Sequence, residues 1–246
     1  MTSWEGLHEI DLAKMLDLPQ VVAVQSTPST MDVAHRSIEH GITRGLLVIA
    51  DAQQAGRGRM GRSWSSSPGS GVWCTMIEQP ADREALDVLS IRVGLLLAEW
   101  LSELANADAQ VKWPNDVMLD RKKLAGILTE ASWVGETLAY VAIGVGVNVH
   151  QPADVPDAAG LPGVDRISVL TRVVRAIRRA AAAREHLTEM ELARYRARDI
   201  LLGRRIRLPA DGLVQGISAD GALLVESPEG RMSRHRSGTI VLAEDL

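Results

Sequence analysis

The sequence contains one cysteine, Cys74, among 246 residues. A single thiol cannot form an intramolecular disulfide, and its isolation excludes a cysteine-rich zinc site. We therefore expect Cys74 to be a buried thiol without a chemical role. The six histidines show no spacing typical of metal ligands. The sequence thus predicts no metal site built from protein side chains.

The chain also lacks a long apolar run and an excess of positive charge. No apolar run approaches the roughly 18 residues that a membrane-spanning helix needs. The segment 1–14 carries acidic residues and lacks the basic-then-apolar order of a signal peptide. The net charge is −4, whereas general nucleic-acid binding usually requires a basic excess. These absences predict a soluble cytoplasmic protein that binds neither membranes nor nucleic acid.

The stretch from Gly56 to Trp64 is the most informative part of the sequence. It contains three glycines and three arginines in nine positions, and Trp64 ends it. Glycine lets the backbone approach a ligand closely, and arginine supplies planar, permanently charged donors for anions. A solvated basic loop is the alternative. The combination favours binding of a molecule that carries phosphate or carboxylate groups.

Lysine is scarce, since only four of the 27 basic residues are lysines. Three of the four, Lys112, Lys122 and Lys123, lie close together in sequence. Where arginine is the usual cation, such clustering indicates positions that need a compact ammonium group, which the broad arginine fork cannot imitate.

The hydrophobic pattern predicts alternating strands and helices up to residue 202. The predicted strands are 21–24, 45–51, 72–77, 111–113, 123–129 and 140–149, and the predicted helices are 29–40, 87–104 and 167–202. In the last strand, Gly144, Gly146 and Asn148 share one face. Such a face cannot fill a core, but it can accept a flat ligand, with Asn148 as a polar anchor.

The sequence pattern changes after Gly203. Short β-prone segments cover 204–209, 213–217, 222–226 and 238–242, and Asp-Gly or Glu-Gly turn signals separate them. We therefore predict two domains. An α/β domain with a mixed β-sheet and flanking helices spans 1–202, and a small SH3-like β-barrel spans 203–246.

Five motifs follow one another along the chain. They are Ser29-Thr30, the segment 53–64 (QQAGRGRMGRSW), Lys112-Trp113-Pro114-Asn115-Asp116, the segment 123–128 (KLAGIL) and the segment 144–148 (GVGVN). Together they resemble the biotin protein ligase family, over roughly residues 20 to 242. The resemblance implies the fold of that catalytic domain and a two-step reaction. Biotin and Mg·ATP give biotinyl-5′-adenylate and pyrophosphate, and a carrier-domain lysine then displaces AMP.

The resemblance also implies contacts for each substrate. Biotin would contact Ser29, Thr30, Met31, Gln53, Arg57, Gly58, Arg59, Lys123, Gly126 and Ile127. ATP or the adenylate would contact Arg57, Arg59, Trp64, Lys112, Asn115, Lys123 and Asn148. The catalytic set would be Arg57, Arg59, Lys112, Asp116 and Lys123.

Several of these positions carry a specific role by resemblance. Arg57 and Arg59 would lie over the adenylate, and Trp64 would cover the adenine ring. Lys123 would hold the biotin carboxylate and later the acyl oxygen. Asp116 would orient the incoming lysine or accept its proton. Positive groups at these places suit a reaction that brings a carboxylate to a polyanion.

Two residues depart from the family pattern. Met31 stands where the family usually has asparagine, which removes one polar contact near the biotin head. Met60 stands where a basic residue is common, so the Gly/Arg segment carries one positive charge fewer.

The partner implied by the resemblance is the biotin carboxyl carrier domain of acetyl-CoA carboxylase or another acyl-CoA carboxylase, and a homodimer is compatible with it. A lipoate–protein ligase of the same fold is one alternative. A nucleic-acid-binding regulator that uses the arginine-rich segment and the arginines at 172–184 is another. The acidic net charge disfavours the regulator. About 20 residues precede the first predicted strand, too few for a helix-turn-helix module.

Overall fold

The computed structural model describes residues 3–39, 44–152 and 154–243. Its helices are α1 (Glu9–Leu16), α2 (Thr30–Glu39), α3 (Arg83–Asp87), α4 (Leu89–Ala105), α5 (Arg166–Ala182) and α6 (Glu189–Arg198). Among these described helices, none is both long enough and apolar enough to cross a membrane.

In the described part of the chain, fifteen strands form three sheets. The strands are β1 (Ser3–Trp4), β2 (Leu7–His8), β3 (Gln20–Thr27), β4 (Leu46–Arg57), β5 (Ser63–Ser66), β6 (Gly71–Glu78), β7 (Gln110–Lys112), β8 (Asp116–Leu119), β9 (Lys122–Val134), β10 (Thr137–Asn148), β11 (Arg205–Leu208), β12 (Gly212–Ile217), β13 (Leu223–Glu226), β14 (Met232–His235) and β15 (Val241–Leu242).

The central sheet has eight strands in the order β3-β4-β6-β10-β9-β8-β7, and β5 pairs with β4. β3 and β4 are parallel, whereas the other neighbouring pairs are antiparallel. Parallel neighbours need a crossover connection, and α2 lies in that connection. The N-terminus of α2 therefore follows directly on the end of β3.

Helices cover both faces of this sheet. Because successive side chains of a strand point to opposite faces, Leu47 and Ile49 of β4 pack with α4 and α5. Leu46 and Val48 pack on the other face with α2. Burial on both faces explains the uninterrupted apolar run in this strand, and each such side chain contributes about 1.5–3 kcal/mol to the free energy of unfolding.

The last strands form a five-stranded antiparallel sheet in the order β14-β13-β12-β11-β15. Its inner residues Ile206, Leu223 and Val225 are buried in the same apolar cluster as α4 and α5. The predicted fold class, a mixed α/β region followed by a small β unit, is confirmed. The division into 1–202 and 203–246 stays a prediction.

The helix predicted over 167–202 is wrong in its middle, since α5 ends at Ala182 and α6 begins at Glu189. Thr188 caps α6 in a capping box with Glu191. Buried Arg92 of α4 donates hydrogen bonds to the backbone carbonyls of residues 184, 185 and 186. These bonds hold the linking segment in a non-helical path, so Arg184 is not on a helix.

Other boundaries also differ from the predictions. A hairpin and α1 precede β3, although the first predicted strand began at Val21. The predicted turn after Trp113 contains an additional strand, β8, and the strand β14 was missed. The helix predicted to end at His40 is observed to Glu39, and His40 lies outside the described residues.

Candidate active site

The Gly/Arg segment is a β-hairpin at the end of β4. The strand predicted to end at Asp51 continues to Arg57, and β5 pairs back on it with Gly56 opposite Trp64. A side chain on Gly56 would bring its Cβ to 2.5 Å from the Trp64 carbonyl oxygen, so the close pairing requires glycine. A short 3₁₀ turn, Arg59–Gly61, forms the tip of the hairpin. The hairpin therefore holds its arginines on a hydrogen-bonded frame.

The hairpin lays the indole of Trp64 across the glycine face of the sheet. A Cβ built on Gly146 would lie 2.6 Å from Trp64 Cε2, and one on Gly126 would lie 2.8 Å from Trp64 Cζ3. The face predicted to receive a flat ligand thus receives this indole first. Lys123 Nζ stands 5.0 Å from the ring centroid, within cation–π distance.

A buried polar network lies at the N-terminus of α2. Thr30 donates its backbone N–H to Gln53 Oε1 at 2.9 Å, and the Thr30 and Thr75 hydroxyls are 2.8 Å apart. Gln53 Nε2 donates to Ser66 Oγ at 2.9 Å. Ser29, Thr30, Ser66 and Thr75 are all buried. This wall offers neutral donors and acceptors, which suit an uncharged polar group.

Met31 follows this network and is also buried. Its Cε lies 2.9 Å from a Cβ built on Gly144, so the methionine fills the space that a larger residue at 144 would take. The surface beside the polar network is therefore apolar at Met31.

The positive groups differ in their partners. Arg57 forms an ion pair with Asp32 at 2.7 Å, and Lys123 forms one with Asp116 at 2.8 Å. Arg59 donates to Asn115 Oδ1 at 3.3 Å. Among the described residues, Arg59 and Lys112 have no carboxylate within ion-pair distance. Both are half-buried and thus available to an anion inside the cavity, whereas Arg62, which also lines it without a carboxylate partner in the described part of the chain, is exposed.

Burial lowers the pKa of Arg59, and the negative charge of Asp116 acts in the opposite direction. A guanidinium stays charged in proteins. The half-buried position of Arg59 therefore strengthens its attraction for an anion rather than removing its charge.

The Lys-Trp-Pro-Asn-Asp motif turns between β7 and β8. The Trp113-Pro114 peptide bond is cis, and the Trp113 indole donates to the Gly221 carbonyl at 2.9 Å. Asn115 forms two hydrogen bonds with Ile127. Its side-chain Nδ2 donates to the Ile127 carbonyl, and its backbone carbonyl accepts from the Ile127 N–H. The turn is thereby fixed to β9 and to the C-terminal sheet.

These groups line one cavity. The predicted site residues found on its wall are Ser29, Thr30, Met31, Gln53, Arg57, Gly58, Arg59, Trp64, Lys112, Asn115, Asp116, Lys123, Gly126 and Ile127. Asn148 does not line this cavity in the described part of the chain. It is buried and donates to the Lys123 carbonyl at 3.2 Å, so its contact with ATP stays a prediction.

Sequence reasoning missed several residues of the wall. Thr75 had a signal, because it is a polar residue within the apolar strand 72–77. The segment Gly238 to Ile240 had none, because the C-terminal sheet brings it to the cavity from far along the chain. Cys74 is buried as expected, and burial raises the pKa of its thiol to about 12.

A buried carboxyl group lies behind the strand that carries Lys112. Asp199 Oδ1 accepts from the Leu201 N–H at 2.9 Å, whereas Oδ2 has no hydrogen-bond partner among the described residues. The Ile200 N–H donates to the Val111 carbonyl, which joins this segment to β7. Burial raises the pKa of Asp199 from 3.8 to about 6.

Asp199→Asn is expected to change how stability depends on pH. Between pH 4 and pH 6 the native state holds a proton that the unfolded chain releases, so the free energy of unfolding falls as pH rises through this window. The shift corresponds to ~3 kcal/mol. Urea unfolding should show the variant gaining up to that amount on the wild type between pH 4 and pH 7.5. An equal difference at both pH values would contradict the titration of Asp199.

Comparison with known proteins identifies the family. The model of the Biotin/lipoate A/B protein ligase family matches residues 22–148. The bifunctional ligase/repressor BirA of Bacillus subtilis is 32% identical over 224 residues, covering 82% of this chain and 68% of the relative. The biotin–[acetyl-CoA-carboxylase] ligase of Mycobacterium tuberculosis is 32% identical over 215 residues, with 81% and 78% covered.

A solved structure agrees with these relatives. The biotin protein ligase from Aquifex aeolicus in complex with biotin and ATP superimposes with a TM-score of 0.76 at 26% identity, covering 91% of this chain and 99% of that one. The segment 22–148, which the family model matches, contains every predicted site residue. The chain belongs to the biotin/lipoate A/B protein ligase family.

Proposed function

We propose that this protein is an ATP-dependent biotin–protein ligase, which forms biotinyl-5′-AMP and transfers biotin to a lysine of a carrier domain. The observation that carries the proposal is a juxtaposition within one cavity. A wall of neutral hydrogen-bonding groups adjoins Arg59 and Lys112, two cations without a carboxylate partner. Two relatives support biotin and ATP as the substrates. The Mycobacterium tuberculosis relative is a biotin–[acetyl-CoA-carboxylase] ligase, and the Aquifex aeolicus biotin protein ligase binds biotin and ATP.

The neutral wall suits the ureido head of biotin. Thr30, Gln53 and Thr75 already form a continuous set of donors and acceptors. A ureido group needs both kinds of partner, and burying it without them would cost about 1–3 kcal/mol for each unpaired group. The pocket thus fixes the head and directs the carboxylate toward the cations.

Adenylation requires the carboxylate to approach a triphosphate against their mutual repulsion. A biotin carboxylate oxygen attacks the α-phosphorus, the bond to the bridging oxygen breaks, and pyrophosphate leaves. Lys123 neutralises the carboxylate, while Arg59 and Lys112 stabilise the phosphate oxygens. The indole of Trp64 provides the surface on which the adenine stacks. These groups act by position and charge, with no covalent intermediate on the enzyme.

ATP is expected to bring Mg²⁺ with it, and the residues fit that arrangement. Asn115 and Asp116 place side-chain oxygens on the wall near Lys112, and Mg²⁺ commonly binds one carboxylate together with substrate phosphates. The ATP phosphates would supply most of the ligands of the ion, Asp116 and Asn115 would contact it beside them, and the ion would neutralise phosphate charge when bound.

In the transfer step, the amine of the carrier lysine attacks the acyl carbon, and the bond to the adenylate oxygen breaks so that AMP leaves. Lys123 stabilises the charge that grows on the acyl oxygen. Asp116 pairs with Lys123 at 2.8 Å and is the carboxylate of the site that can accept the proton of the attacking amine. The lysine substrate supplies the nucleophile.

The partner in this proposal is the biotin carboxyl carrier domain of an acyl-CoA carboxylase, in the cytoplasm. Incubating the enzyme with biotin, ATP and an isolated carrier domain should add one biotinyl group to one lysine, detected by intact-protein mass spectrometry. Omission of ATP, or Lys→Arg replacement of the target lysine, should abolish the addition. Addition without ATP would contradict an adenylate intermediate.

Arg59→Gly is expected to release the adenylate. Arg59 crosses the cavity to Asn115, and its loss removes both a charge and the closure of the hairpin tip over the intermediate. Free adenylate should then biotinylate lysines of a bystander protein at least about tenfold faster than with wild type. Streptavidin blotting of a bystander without a carrier sequence measures this rate. Labelling confined to the carrier domain would rule out the retention role.

A further inference from the structure

Met60 occupies an unusual position for a large apolar residue. It lies at the tip of the Gly/Arg hairpin with φ of 58° and ψ of 34°, a left-handed conformation uncommon outside glycine and asparagine. Its side chain is 74% exposed. Because Met60 also lies on the lining of the cavity, its exposed side chain is placed to contact a molecule that enters there.

The Met60 side chain contacts Thr239, in the loop between β14 and β15 of the C-terminal sheet. The Thr239 hydroxyl is 3.6 Å from Met60 Sδ, and it also accepts a hydrogen bond from Arg62 at 3.1 Å. Arg62 is exposed, and no carboxylate of the described residues lies within ion-pair distance of it. These three residues form a rim, which we call the Met60 rim, that joins the hairpin tip to the C-terminal sheet.

The Met60 rim lies on the cavity that holds Asp116 and Lys123. A lysine that reaches those groups has its ammonium only four methylenes from its own backbone. The residues on either side of the target lysine must therefore lie on the rim of the cavity. An exposed thioether beside a guanidinium without a carboxylate suits a segment that carries an apolar side chain and an acidic side chain.

We propose that the Met60 rim is the docking contact for the carrier domain, with Met60 against an apolar side chain next to the target lysine and Arg62 against a carboxylate. The inference rests on the proposed function, because it assumes that a protein lysine enters this cavity. It predicts that the rim acts in transfer and takes no part in adenylation.

The two half-reactions separate the rim from the rest of the site. Met60→Asn removes the apolar surface while keeping a residue that accepts the left-handed conformation. The KM for the carrier domain should rise about tenfold, as expected for the loss of one apolar anchor. Biotin-dependent ATP–pyrophosphate exchange without carrier should stay within about twofold of wild type. Met60→Leu should restore the KM.

Two further variants complete the test. Met190→Asn changes a methionine that is 70% exposed on α6, and it should leave both half-reactions unchanged. Arg62→Ser should raise the carrier KM and make it less sensitive to salt, since a charge pair is removed. An unchanged carrier KM in Met60→Asn would overturn the docking proposal. Biotin-dependent ATP–pyrophosphate exchange by the same variant would still support the ligase function. A loss of exchange in Met60→Asn would also overturn the docking proposal, because Met60 would then act in adenylation.

Discussion

Replacing Lys112 with methionine is expected to lower biotin-dependent ATP–pyrophosphate exchange by about 100- to 1,000-fold. Among the described residues, the Lys112 ammonium has no hydrogen-bond or ion-pair partner, yet it lies on the cavity wall beside Asn115 and Asp116. Its charge is therefore free to stabilise the phosphate oxygens as pyrophosphate leaves. Methionine keeps the length of the side chain and removes only that charge.

The same variant should fold as stably as the wild type. Removing an unpaired ammonium leaves no carboxylate without a partner, so the free energy of unfolding should change by less than about 0.5 kcal/mol. Lys112→Arg should recover little exchange, because the guanidinium is broader and directs its donors differently. Lys122→Met changes an exposed neighbour and should leave exchange intact. Exchange of Lys112→Met at the wild-type rate would remove Lys112 from the mechanism.

Replacing Gly146 with alanine is expected to raise the KM for ATP by about tenfold or more. The new Cβ would lie 2.6 Å from Trp64 Cε2 and 2.7 Å from Trp64 Nε1, closer than real contacts allow. The indole must therefore move away from the sheet, and this movement changes its contact with Lys123, whose Nζ is 5.0 Å from the ring centroid. Both the stacking surface and the carboxylate-binding lysine would then be displaced.

A matched alanine substitution checks that this effect comes from the indole. A Cβ on Gly94 of α4 would meet only Ile127 Cδ1, at an ordinary 3.7 Å, so Gly94→Ala should leave the KM for ATP unchanged. In Gly146→Ala, a shift of the tryptophan fluorescence spectrum should accompany the kinetic change. An unaltered KM for ATP would show that adenine does not depend on the position of Trp64.

The strand and helix order could be predicted because local patterns carry it. The run 46–50 is apolar on both faces of one strand, and the glycines at 144 and 146 leave one face of β10 open. The charge and glycine content of 56–64 likewise indicated an anion site from nine neighbouring residues. Signals of this kind depend on residues close in sequence and need no knowledge of tertiary packing.

Features that depend on distant segments could not be predicted. The indole of Trp64 meets Gly146 only because β5 folds back on β4 and β10 pairs with β6. The break between α5 and α6 depends on buried Arg92, which binds the linking segment from another helix. The approach of Thr239 to the hairpin tip depends on how the C-terminal sheet packs against α4 and α5.

Adenylation of biotin in this cavity should exchange radiolabelled pyrophosphate into ATP. The assay should be run with biotin, with lipoate and with no acid. We expect exchange with biotin and none above background in the other two reactions, despite the apolar side chain of Met31. Exchange with lipoate alone would make the protein a lipoate–protein ligase of the same family, and the absence of exchange with either acid would contradict the account.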